Sequence, residues 1–109
     1  AADAVAALEP DFRGLARQDS HGVITTAPGR DGVDFVSRYF APRVGIDEDP
    51  VTGSAHCTLT PYWAGRLGRT ALEARQISRR GGALTCRLAG DRVLMTGAAT
   101  LVLEGTLHV

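Results

Sequence analysis

No lysine occurs anywhere in the 109 residues. All twelve basic residues are arginine, and twelve acids balance them to a formal net charge of zero. A chain with no charge excess gives no electrostatic case for binding nucleic acid or an anionic membrane. Long apolar runs are missing too. Nothing approaches the roughly 20 consecutive apolar residues of a membrane span. The N-terminus lacks the basic start and apolar stretch of a secretory signal. There are two cysteines, Cys57 and Cys86. In a chain without export signals they are expected to be reduced, buried and structural. From these absences a cytoplasmic location is expected.

What remains is ordinary for a folded domain: 44% hydrophobic and 22% charged residues, in a length that suits one domain, residues 1–109. Asp3 to Arg17 reads as helix, with Ala4, Ala7 and Leu8 on one stripe. Glu9-Pro10 should split it in two, because proline removes an amide and crowds the preceding turn. His21 to Thr26 is rich in β-branched residues and reads as a strand. Pro28-Gly29-Arg30-Asp31-Gly32 is turn chemistry. Val33 to Phe40 then reads as a second strand, with Phe35 and Ser37 facing one way and Asp34, Val36 and Arg38 the other. The pair predicts an antiparallel hairpin. Ala41 to Thr52 reads as irregular.

Ser54 to Leu67 reads as a helix stopped near Gly68, kinked at Pro61 where the Cys57 carbonyl loses its partner. Ala55, Leu59, Trp63 and Leu67 recur every four residues. Charge is absent until Arg66, which predicts a helix buried nearly all round. Beyond Ala71 the period changes to two. Strands are expected over Leu72 to Ser78, Ala83 to Leu88, Arg92 to Thr96 and Ala98 to Val109, with a bulge at Gly97. This order predicts the α+β class: a curved, mostly antiparallel sheet wrapped around one central helix.

The candidate site is the junction where an acidic turn feeds that helix. Asp47-Glu48-Asp49-Pro50 is followed by Thr52-Gly53-Ser54-Ala55. The first amides of a helix lack internal partners and carry the positive end of its dipole. Glycine lets a ligand approach them closely. Such a place binds a carboxylate or phosphate, or is capped locally by Asp or Ser. It is no nucleotide loop, for the Gly-Lys-Ser/Thr ending is absent. The three adjacent acids do not match an EF-hand, which spaces its ligands at alternate positions. His21, His56 and His108 lack metal-ligand spacing, so no metal is expected. His56 is the notable one, in the first turn of the helix. Cys57 also lies near that helix start, where a thiolate would be stabilised, and packing is the simpler role. Ser54 has no His and Asp partners in triad order. Arg79-Arg80-Gly81-Gly82 is a basic turn, either a surface hairpin or a carboxylate clamp.

The run Glu48-Asp49-Pro50-Val51-Thr52-Gly53-Ser54-Ala55 resembles the signature of the phenazine-biosynthesis-like isomerase/epimerase family. Asp34 to Pro42 resembles the strand before it. Pro61-Tyr62-Trp63-Ala64 resembles the helix after it, and Ala74 to Gly82 and Val93 to Gly105 its closing strands. The resemblance implies the C-terminal half of a two-domain protein with the diaminopimelate-epimerase fold and an active site between the halves. It implies a proton shift on a small carboxylate-bearing substrate, with no cofactor and no metal. It gives Asp49 the catalytic part in this half. Gly53 and Ser54 would hold the substrate carboxylate, with Thr52, Gln76 and Arg79 lining the cleft. The family's acid/base glutamate belongs to the N-terminal domain, in a motif with asparagine nearby, and this chain contains no asparagine. The expected partner is therefore that missing domain, without which the chain should be inactive. The alternatives are a stand-alone carboxylate-binding module and a homodimer formed through exposed sheet edges.

Overall fold

The computed structural model describes all of residues 1–109. Two short helices come first, α1 (Ala2–Ala6) and α2 (Phe12–Ala16), separated at Pro10 as the sequence demands. Asp11 caps α2 by accepting from the Gly14 amide at 3.1 Å. Strands β1 (Val23–Pro28) and β2 (Phe35–Ala41) follow as an antiparallel hairpin, with Val23 opposite Phe40 and Pro28 opposite Phe35. A 3₁₀ turn (Pro42–Val44) leads into β3 (Ile46–Asp49). The long helix α3 (Gly53–Leu67) comes next and ends on Gly68 at φ 66°, a left-handed cap that suits glycine. Strands β4 (Ala71–Gln76), β5 (Gly82–Ala89) and β6 (Arg92–Thr96) complete the regular structure.

The sheet runs β1-β2-β4-β5-β6, and all pairs are antiparallel except β2 with β4. Side chains alternate across β2. Phe35 and Ser37 share one face, as expected, and it is the face toward α3. There Phe35 joins Ala55, Leu59, Trp63 and Ala64 of α3, Leu72 and Ala74 of β4, and Cys86 of β5 in the main core. Phe35 stacks on Trp63 with ring centroids 5.7 Å apart. The Trp63 Nε1–H donates to Thr26 Oγ1 at 2.9 Å, which satisfies the buried indole. On the opposite face Val36 packs with Ala27 and Val5, and Phe40 with Phe12. The result is an α+β domain with helices on both faces of a mixed sheet.

Arg38 locks the outer layer in place. Its guanidinium makes a two-pronged pair with Glu48, at 2.7 and 2.9 Å. It also donates to the Val5, Ala6 and Leu8 carbonyls at the end of α1 and lies over the Phe40 ring. One side chain thereby ties α1, β2 and β3 together. The hydrogen bond to Glu48 is the main reason the Arg38 pKa is raised, burial working the other way.

Four expectations need correction. The segment 41–52 is not irregular throughout, because β3 pairs with the end of β2. Helix α3 is not buried all round. Ala55, His56, Leu59, Thr60, Trp63 and Ala64 form one buried stripe, and the other face is open. That face is uncharged, and nothing within residues 1–109 covers it. Cys57 is on that open face and is exposed, whereas Cys86 is buried. Finally, Ala98 to Val109 forms no strand. It leaves the domain after Thr96, with Leu101, Val102, Leu103 and Leu107 between 79% and 90% exposed. The radius of gyration, 15.5 Å, accordingly exceeds the about 13 Å of a compact chain this long.

Candidate functional site

Sheet topology creates the site. One edge of β2 is taken by β1 along its length. The other is shared: β4 pairs with Phe35–Ser37, and β3 with Tyr39–Ala41. β3 is antiparallel to β2 and β4 is parallel, so they run toward each other along that edge. Their C-terminal ends meet beside Arg38, where Asp49 lies opposite Tyr39 and Gln76 opposite Ser37. The chain leaves β3 at Asp49 and enters α3 within four residues. That short link is held across the gap by Gln76.

Gln76 is 1% exposed. Its Oε1 accepts from the Thr52 amide at 2.6 Å. Its Nε2 donates to the Asp49 carbonyl at 2.8 Å and to Thr52 Oγ1 at 3.0 Å. This set fixes the orientation of the amide, because a flip would set like groups against each other. Thr52 Oγ1 in turn donates a hydrogen bond to Asp49 Oδ2 at 2.5 Å. The Thr52 carbonyl accepts from His56 Nδ1 at 2.7 Å. A carbonyl can only accept, so Nδ1 carries the proton and Nε2 is left facing Ser37 Oγ at 3.5 Å. His56 is fully buried and stacks on Phe35. Burial lowers its pKa, only partly offset by the bond to Thr52, which fits a neutral ring. Every polar group of Thr52 is thus committed, and the link cannot move without breaking buried hydrogen bonds.

Two glycines answer to this geometry. A Cβ on Gly82 would stand 2.7 Å from the Val51 side chain, so the start of β5 must be glycine for the link to lie against it. At Gly53 a Cβ would meet only the Met95 tip, at 3.8 Å. Thr52 is the helix N-cap residue yet its side chain caps nothing within the helix. The amides of Gly53 and Ser54 therefore have no protein acceptor, and both residues are exposed. They are neither filled nor closed off by Asp49 or Thr52. Asp49 is half-buried and its Oδ1 has no protein partner.

Of the predicted residues, Asp49, Thr52 and Gln76 are brought into direct contact, and Gly53 and Ser54 follow on the same turn. Thr52 and Gln76 do not line an open cleft; they are the buried support of Asp49. Arg79 is exposed, and no hydrogen bond joins it to Asp49, Gly53 or Ser54. It shares a polar cavity of about 380 Å³ with Glu48, Pro50, Ser78 and Arg80. Ser78 Oγ donates to the Pro50 carbonyl at 2.7 Å, which anchors this basic turn to the acidic one. Sequence reasoning missed His56 and Ser37 as supports. The available signal was the i, i+4 spacing from Thr52 to His56. No group of three or more His, Cys, Asp or Glu side chains is placed to hold a metal ion.

The family model described as phenazine biosynthesis-like protein matches residues 1–105. An uncharacterized isomerase of Pseudomonas aeruginosa is 57% identical over 107 residues, which is 98% of this chain and 41% of the relative. An uncharacterized isomerase of Halalkalibacterium halodurans is 46% identical over 101 residues, covering 92% of this chain and 38% of the relative. A crystal structure of a phenazine biosynthesis protein of the PhzF family from Enterococcus faecalis superposes with a TM-score of 0.87 at 50% identity, over 98% of this chain and 41% of that one. The chain therefore spans about 40% of the length of these relatives.

Proposed function

The chain belongs to the phenazine-biosynthesis-like family, and from that premise we propose that it is the substrate-carboxylate half of a cofactor-independent isomerase. The observation that carries this reading is the pair of unpaired amides at Gly53 and Ser54 beside the free Oδ1 of Asp49. The amides and the dipole of a 15-residue helix receive a carboxylate and any enolate-like charge that develops on it. Asp49, held through Thr52 and Gln76, turns its free oxygen to a hydroxyl or amine of the same substrate or relays a proton. Thr52, Gln76 and His56 serve the reaction by holding Asp49 and the helix start at fixed separation. That rigidity is what positioning for catalysis requires.

The second carboxylate or base that a proton shift needs belongs to a companion domain. Two features support this. The solvent face of α3 bears no charge from Gly53 to Gly65, the composition of a surface that another layer covers. More than half of the relatives' length also lies outside the part this chain matches. The 109 residues alone are then inactive.

The test is a titration of the ¹⁵N-labelled chain with acetate and with sulfate, followed by its amide spectrum. Saturable shifts centred on Gly53 and Ser54 are expected, lost in Gly53→Pro, which deletes one amide. Shifts scattered over Arg side chains, or unchanged by that substitution, would remove the carboxylate site.

A further inference from the structure

Behind the sheet, on the side away from α3, the two short helices leave a hollow. The link between them, α2 and the β1–β2 hairpin enclose a cavity of about 320 Å³. Leu8 and Pro10 of the link, Leu15 of α2, Val23 of β1 and Phe40 of β2 give it an apolar wall. Pro10 parts α1 from α2, and the link so formed is one side of the cavity. Register supplies the other side. Val23 stands opposite Phe40 and Thr25 opposite Arg38, so Val23 and Thr25 share the face of Phe40. Two polar side chains interrupt this wall, Asp11 and Thr25. Asp11 is exposed at the mouth, and its Oδ1 is fixed by the Gly14 amide at 3.1 Å. A Cβ on Gly14 would stand 2.5 Å from Oδ2, so glycine there gives the carboxylate its place. Asp11 makes no ion pair. Arg38, which lies over the Phe40 ring, is already paired with Glu48. Glu9 and Arg13, the other charges of the link and α2, are exposed and outside the lining. Thr25 Oγ1 is buried without a hydrogen-bond partner, which in a folded protein calls for an explanation.

We propose that this cavity binds a small amine with an apolar body, of the arylalkyl or branched alkyl class. The wall takes the body, and the fixed Asp11 carboxylate takes the ammonium in a charge-assisted hydrogen bond. An apolar lining with few, placed polar groups is the composition of a ligand site, and its volume lies at the small end of their range. At about 30 Å³ for each water-sized group, it holds about ten non-hydrogen atoms. An ammonium donates in more than one direction. The Thr25 hydroxyl accepts a second of these bonds by turning about χ1 toward the cavity. A carboxylate ligand is repelled by Asp11, which sets this site apart from the one at Gly53 and Ser54. The two also lie on opposite faces of the sheet, so occupancy of one does not block the other. Arg38 connects them: it donates to the Leu8 carbonyl at 2.9 Å and holds Glu48, the neighbour of Asp49.

A titration of the full-length protein, labelled at its Leu and Val methyl groups, with 2-phenylethylamine tests this. The expected result is saturable shifts of the Leu8, Leu15 and Val23 methyls that acetate does not reverse. 2-Phenylethanol, the neutral counterpart, should bind about fivefold more weakly, the most that one exposed charge pair supplies. Asp11→Asn keeps an oxygen for the Gly14 amide and so keeps the cap of α2. It should weaken the amine by the same factor of about five and leave the alcohol unchanged. Leu15→Trp, which fills the cavity, should abolish binding of both, with circular dichroism to check that the variant is folded. No saturable shift at these three residues overturns the proposal. Equal binding of amine and alcohol, or an amine indifferent to Asp11→Asn, also overturns it. Shifts seen in the 109-residue chain but not in the full-length protein assign the cavity to another segment of the protein and overturn it too.

Discussion

Gln76→Ala is the sharpest test of how the site is built. The substitution removes one acceptor and two donations at once, to the Thr52 amide, the Asp49 carbonyl and Thr52 Oγ1. Each hydrogen bond is worth about 1 kcal/mol net, and a buried group left unpaired costs about 1–3 kcal/mol. The Thr52 amide and the Asp49 carbonyl relax partly toward solvent, so a loss of about 3 kcal/mol is expected, or about 10–20 °C in Tm for a domain of this size. Urea unfolding followed by circular dichroism measures it. Gln76→Glu separates the acceptor from the donors. A buried glutamate keeps an oxygen for the Thr52 amide but sets a carboxylate against the Asp49 carbonyl. Its pKa rises above the ordinary 4.3 or so. The protonated form is therefore stabilised, and the loss relative to Gln76 grows as pH rises through that raised value. The variant should be closer to the parent at pH 5 than at pH 8. A loss under about 1 kcal/mol for Gln76→Ala, against the 2–5 kcal/mol range of large buried truncations, would show that the link between β3 and α3 does not depend on this side chain.

Other perturbations follow from the same contacts. Arg38→Met should cost about 2 kcal/mol by leaving the mostly buried Glu48 carboxylate unpaired; limited proteolysis should show α1 released first, because the Val5 and Ala6 carbonyls, and that of Leu8 just beyond, lose their donor. His56 is held neutral, with a pKa below its unfolded value of about 6.5. The stability it contributes is whole above that pH and declines as pH falls toward the folded value. A urea series from pH 7.5 to 5 should show this slope, and His56→Gln should flatten it. Thr25 Oγ1 is buried with no partner, so Thr25→Val should be neutral or stabilising by up to about 1 kcal/mol; a loss of that size would mean the hydroxyl is in fact bonded.

The order of elements was legible because its signals are local. Pro10 splits the first helix, the β-branched run makes β1, and Gly68 ends α3. β3 was not legible. Asp47-Glu48-Asp49 reads as a turn by composition and becomes a strand only because β4 leaves part of the β2 edge vacant. The segment after Gly97 shows the converse failure. Its period of two is real, but a strand needs a partner and none lies within these residues. The candidate site was found as a block, 47–57, from an acidic turn feeding a helix start and from its likeness to a family. The roles inside it were not readable, because Gln76 reaches Thr52 only after two strands converge from distant parts of the sequence. Cys57 was misplaced for a related reason: an uncharged helix face looks buried in sequence whether or not a second layer covers it.

The most direct test of the central claim is deuterium incorporation from D₂O into small carboxylates bearing an exchangeable C–H. Three samples are compared without added cofactor or metal: a full-length protein carrying this domain, its Asp49→Asn variant, and the 109-residue chain. The account predicts incorporation by the full-length protein, a loss of about 100-fold or more in the variant, and none by the short chain. Equal incorporation by the short chain, or an Asp49→Asn variant as active as its parent, would contradict it.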